Sequence, residues 1–170
     1  MKLAYVTLQG RGRTDALITE VATLLEAEGV RLAGTVQSNH ERLDRRKCDM
    51  DLRVLPDGPV VRISEDRGDL ARDCTLDSGA LEQTVFAVQQ RLDGAEVMIV
   101  NKFGKREAEG KGLVPVIAEA LDRGLPVLIG VNGLNLAAFL AFAGEEVTAL
   151  PGDPSQIADW CKAGIRLTVY

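Results

Sequence analysis

The chain reads as an α/β protein: a three-layer fold with a mostly parallel β-sheet between two layers of helices, carrying an inserted β-hairpin. Three observations predict it. Apolar runs of strand length, "LAYVTL" (3–8), "EVMIV" (96–100) and "LPVLIGV" (125–131), alternate with segments whose apolar residues recur at helical spacing. The runs are continuous, as a strand buried on both faces requires. Gly29 and the Asp93-Gly94 step stand between elements, where a chain has to turn.

The elements follow in order. "LAYVTL" is the first strand. Thr14 or Asp15 is expected to cap a helix that puts Leu17, Ile18, Val21, Leu24 and Leu25 on one face. Gly29 ends that helix, and "RLAGTVQ" (31–37) is the next strand. "SNHERLDRRKCDMD" (38–51) is too charged for a core. "DLRVL" (51–55) and "VVRIS" (60–64) flank "PDGP" (56–59), which predicts a hairpin. "DRGDLARDCTLD" (66–77) reads as loop. "SGALEQTVFAVQQRL" (78–92) is helical, with Ala80, Leu81, Val85, Val88 and Leu92 inward. After the strand at 97–100, "GLVPVIAEALDRG" (112–124) is a helix that Pro115 begins. "NLAAFLAFAG" (135–144) is a short helix and "EVTAL" (146–150) a short strand. "PSQIADWCKAG" (154–164) is a helix, and "IRLTVY" (165–170) is expected to close the chain as a strand. Residues 1–170 are expected to form one domain, with 38–74 as its hairpin insert.

Composition bounds the function. The net charge is -5, so non-specific attraction to nucleic acid or anionic membrane is not favoured. No apolar run approaches the roughly 18 residues of a spanning helix. The N-terminal "KLAYVTL" carries no signal peptide, and the expected location is cytoplasmic. Cys48, Cys74 and Cys161 are an odd, widely spaced set, which fits a reducing compartment better than a disulfide framework. A site for an anion must then be local. Whether the chain forms a homo-oligomer stays open.

Ligands of open parallel sheets bind at the carboxyl ends of strands. In "TLQGRGRTDAL" (7–17), Gly10 and Gly12 let the backbone turn tightly before a helix N-terminus, and Arg11 and Arg13 add charge. The phosphate-loop pattern, Gly, four residues, then Gly-Lys-Ser/Thr, is degenerate here: Thr7 replaces the first glycine and Arg13 the lysine. Thr14 keeps a hydroxyl. The competing reading is a plain glycine-rich turn with solvated arginines. "VMIVNKFGKREAEGKGL" (97–113) passes from a buried strand into Asn101, Lys102, Lys105, Glu107 and Glu109. Its bland alternative is a solvated charged loop. Asn132, Gly133 and Asn135 of "GVNGLNLAAF" (130–139) can line the same crevice, though Asn135 serves equally as a helix cap.

Cys48 and Cys74 stand at the two ends of the hairpin region. With Asp49, Asp51 or His40 they are a candidate metal site. No CxxC or HxxxH spacing supports it, and half-buried thiols are the alternative. Cys161, beside Trp160 in a helical pattern, reads as packing.

The run "VMIVNKFGKREAEGKGLVPVIAEAL" (97–121) resembles the thermophile-type nucleoside-triphosphatase family. That family ends this strand in Asp-Glu, followed by an apolar residue, a glycine and a second glutamate before a helix. Gly104 and Glu107 match; Asn101 and Lys102 stand where the acids would be. The motifs "GTVQSN", "CDMDL", "RISEDRG", "CTLDSGALE" and "VNKFGKREAEGKGL" are closer still to a bacterial family of uncharacterised proteins. Its members resemble those nucleotidases without their standard motifs and are sometimes associated with molybdate transport. The resemblance implies a P-loop NTPase-like fold and leaves the activity open. It also implies base or sugar contacts for Asn132 and Asn135, and magnesium only if the chain hydrolyses. Three readings follow. The first is a nucleotide- or oxyanion-binding protein with weak or absent hydrolysis, linked to molybdenum handling. The second is a working nucleoside triphosphatase using Thr14 and Glu107. The third is a non-catalytic interaction module docking through 38–74.

Overall fold

A computed structural model describes residues 1–38, 50–65 and 75–166. Its centre is a seven-stranded sheet in the order β4-β3-β2-β7-β8-β1-β9. The strands are β1 (Leu3–Val6), β2 (Leu32–Ser38), β3 (Asp51–Leu55), β4 (Val60–Arg62), β7 (Val97–Val100), β8 (Val127–Gly130) and β9 (Thr148–Ala149). β2, β7, β8, β1 and β9 run parallel to one another; β3, antiparallel to β2, and β4 add an antiparallel edge. A further pair, β5 (Ser64–Glu65) and β6 (Thr75–Leu76), forms a small antiparallel ladder. That ladder lies partly in the stretch expected to be loop.

The continuous apolar runs are explained by two cores. Along β7, Val97 and Ile99 face one core while Met98 and Val100 face the other. On the first side lie α1 (Arg13–Ala27) and α6 (Pro154–Arg166). On the other lie α2 (Ser78–Gln90), α4 (Val114–Asp122) and α5 (Leu136–Ala143). Side chains alternate across a strand, so a strand covered on both faces has no solvent side left for polar residues.

Local expectations are corrected in several places. α1 starts at Arg13 after Gly12, which sits at φ 76°, and no side chain caps it. Neither Thr14 nor Asp15 is the cap. Leu24 is 38% exposed; the inner face is completed by Ala22 instead. α6 runs on to Arg166, so the expected closing strand loses Ile165 and Arg166; 167–170 lie outside the described residues. Its extension follows from packing, since Ile165 continues the spacing of Ile157 and Cys161 onto the same core. The charged stretch after β7 contains a short helix, α3 (Lys105–Ala108).

Candidate functional site

The carboxyl ends of β1, β7 and β8 carry the three loops that the parallel order brings to one edge. In the first, Gly10 (φ 103°) and Gly12 (φ 76°) hold left-handed conformations that other residues avoid. The Thr14 hydroxyl is tied back across the loop: it accepts from the Leu8 N–H at 3.0 Å. Arg13 also folds back and donates to the Gln9 carbonyl at 3.1 Å. Its side chain lies over Gly10, where an added Cβ would come within 2.7 Å of it.

In the second loop Asn101 is buried and bridges two elements. Its Oδ1 accepts from the Thr35 hydroxyl at 2.8 Å, and its side chain also hydrogen-bonds Asp15 on the first turn of α1. Lys102 adds Coulombic attraction to the same carboxylate. Desolvation nonetheless outweighs both and raises Asp15 above its ordinary pKa. Sequence reasoning took Asp15 only for a cap, whereas the structure sets it beside Asn101 and Lys102 as a further candidate site residue. The signal was available: an acid on the first turn, next to a strand end where acids are lacking.

Glu107 is buried and engaged. Oε1 accepts from the Gly104 N–H at 2.9 Å and Oε2 from the Leu113 N–H at 3.2 Å, which clasps both ends of the loop. Gly112 must be small, because a Cβ there would fall 1.7 Å from Glu107 Oε2. Burial is the largest influence on Glu107 and lifts its pKa. Glu107→Ala would leave two amide donors unpaired, so it should destabilise the fold by about 2–3 kcal/mol in urea unfolding. Glu107→Gln, with one carbonyl oxygen, should lose roughly half as much.

In the third loop Asn132 is the cap, its Oδ1 accepting from the Asn135 N–H at 3.0 Å. Asn135 instead donates from Nδ2 to the same oxygen. Asn132 thus caps the single 3-10 turn Gly133–Asn135, while Asn135 holds the N-cap position of α5, as expected, without a capping hydrogen bond from its side chain.

A cavity of about 640 Å³ opens between these last two loops, the β3–β4 hairpin and the start of α2. Asn101, Lys102, Lys105, Glu107, Asn132 and Asn135 all line it. Gly10, Arg11, Gly12, Arg13 and Thr14 are not among its lining residues. The expected single crevice is thus resolved into a cavity and a separate glycine loop, with Lys102 between the cavity and Asp15. Cys48, Cys74 and His40 lie outside the described residues. Cys161 is buried in the core, where desolvation pushes its thiol up to about 12. Among the described residues no helix is long and apolar enough to cross a membrane.

Comparison with known proteins fits this architecture. THEP1 from the hyperthermophile Aquifex aeolicus superposes with a TM-score of 0.65 at 15% identity, over 100% of both chains. A human cancer-related nucleoside triphosphatase gives 0.63 at 16%, over 99% of this chain and 98% of that one. The chain therefore shares the P-loop NTPase-like fold of these two proteins. The molybdenum import ATP-binding protein ModC 2 of Bradyrhizobium diazoefficiens is 29% identical over 162 residues. Those residues are 94% of this chain and 18% of that protein. Residues 3–160 match the DUF2478 family, described as a protein of unknown function, and the chain belongs to that family.

Proposed function

We propose that this chain binds a nucleotide or another oxyanion at the carboxyl edge of its sheet and hydrolyses it weakly or not at all. One observation carries the reading: Asn101 and Lys102 stand at the strand end, where the nucleotidases that the chain resembles carry acids, while an acid, Asp15, faces them from α1. An aspartate at 101 would confront Asp15 at close range, and like charges repel. The amide and ammonium remove that conflict. Lys102, Lys105 and Arg106 then give the cavity a wall with more cations than acids, since Glu107 and Glu109 line it too and Glu107 is taken up by backbone amides. Its volume falls within the roughly 300–1,000 Å³ typical of ligand pockets. The names of the relatives, nucleoside triphosphatases and an ATP-binding protein of molybdenum import, support the ligand class and a link to molybdenum handling.

Magnesium, which this fold class implies, takes hard oxygen ligands in near-octahedral array. The residues present do not suit it. Lys102 repels a cation, the Asn101 oxygen already accepts from Thr35, and the Thr14 hydroxyl is tied to Leu8. Electrostatic stabilisation supplies most phosphoryl-transfer catalysis, so a site without it is expected to turn over weakly or not at all.

A thermal-shift screen with ATP, GTP, phosphate, molybdate and tungstate tests binding. A ligand at ten times its dissociation constant adds roughly 1.4 kcal/mol of stability. Phosphate release from ATP with magnesium tests hydrolysis, and rapid release would defeat the reading. Absence of any shift would favour the interaction module.

Asp15→Asn gives a second check with a definite sign. The folded-state pKa of Asp15 is raised, so the folded chain retains a proton that the unfolded chain releases above about pH 4. Stability therefore falls as pH climbs from there through the raised value. Asp15→Asn should flatten that fall, measured by urea unfolding at several pH values. It should also tighten anion binding by about tenfold, because it removes a competing charge beside Lys102.

A further inference from the structure

The cavity has two chemically different walls. On one, Lys102 and Lys105 are exposed, and Arg106 carries a buried Nε with no hydrogen-bond partner. The Arg106 Nη1 stands 3.8 Å from Glu109, too far for a hydrogen bond. The Nε itself is closed to solvent, so the terminal nitrogens of this guanidinium are the ones left to donate to an anionic ligand. The other wall is aliphatic. Leu52, Ile63 and Leu81 pack there into a small core of their own, apart from the two cores that sandwich the sheet. Leu134 stands at the lining 94% exposed.

A tetrahedral oxyanion satisfies the first wall and leaves the aliphatic lining uncovered: Leu134 shows nearly all of its surface, and Leu52, Ile63 and Leu81 the 3–7% that their packing leaves open. An apolar body laid against the second gains about 25 cal/mol for each Å² removed from water. From this juxtaposition we infer that the cavity takes an organic anion, a phosphate ester or similar, with its charged head on Lys102, Lys105 and Arg106 and its apolar body on Leu52, Ile63 and Leu81. The inference rests on the anion-binding reading above and narrows it. The seat lies apart from the glycine loop at 10–14, which does not line the cavity. No aromatic side chain lines it among the described residues, so the body is held by aliphatic contact rather than by stacking.

Isothermal titration without magnesium, using inorganic phosphate, phenyl phosphate and adenosine monophosphate, tests this. The three share a phosphate head and differ in body. Both esters should bind at least about tenfold more tightly than phosphate. Ser78→Trp adds neutral bulk at an exposed lining position on the first turn of α2. It should weaken both esters by about tenfold or more and leave phosphate unchanged. Leu134→Ser, at a side chain too exposed to matter for folding, should weaken the esters alone by about threefold. Equal affinity for all three probes, with neither variant discriminating, would overturn the inference and leave an oxyanion site standing. Binding by none of the three would overturn the anion-binding reading along with it.

Discussion

Lys102→Glu is expected to abolish the thermal shift produced by any anion that the parent chain binds. Lys102 lies at the junction of the cavity and Asp15, and its side chain is exposed. Reversing its charge removes one attraction and adds one repulsion. At an effective dielectric constant near 20, each unit pair at about 4 Å is worth around 4 kcal/mol. Even after solvent screening, a loss of about 100-fold in affinity, or 2.8 kcal/mol, is the expected scale. The new carboxylate also meets Asp15, whose protonation should shift further upward. Folding should change little, because exposed substitutions are usually worth less than about 0.5 kcal/mol. Asp15→Asn moves binding the other way, so the pair makes a signed test. An undiminished shift in Lys102→Glu would place the ligand elsewhere.

Gly34→Ala is expected to cost about 3 kcal/mol or more. Gly34 sits inside β2, paired in register with Ile99 of β7 and Leu55 of β3. Its φ is 111°, which L side chains rarely adopt, and an added Cβ would fall 1.7 Å from the Ile99 carbonyl oxygen. Backbone strain of about 1–3 kcal/mol and overpacking of about 1–3 kcal/mol therefore combine. The clash is with backbone in the middle of the sheet, so no side chain can swing aside. β2 also carries Thr35, which holds Asn101, so the variant should lose ligand binding together with stability. Urea unfolding reads the first effect and the thermal shift the second. A stability within 1 kcal/mol of the parent would mean that β2 does not lie against β7 in this way.

Glu107 and Asp15 illustrate how much of the site was legible. The charged run 101–109 was visible as a candidate site edge because it follows a buried strand directly. The clasp made by Glu107 was not. It depends on Gly104 and Leu113 N–H groups converging on one carboxylate, and α3 is too short to leave a periodic pattern. Asp15 looked like a cap because a local reading sees only its position on α1. Its partners, Asn101 and Lys102, come from a strand distant in sequence. Arg13 carried the right charge for a phosphate site, but a long flexible side chain can turn back, and it donates to Gln9.

Amino-acid order alone determined the layered α/β fold and its hairpin, because burial on both faces imposes continuous apolar strands and helical periodicity between them. It also placed the candidate ligand edge, since parallel strands end together. Tertiary structure alone decided which charges meet: Asp15 against Lys102, Glu107 against backbone amides, and a cationic wall opposite an aliphatic one. Electrostatic and hydrogen-bonding partners are chosen by distance in space, and spacing along the chain does not encode it.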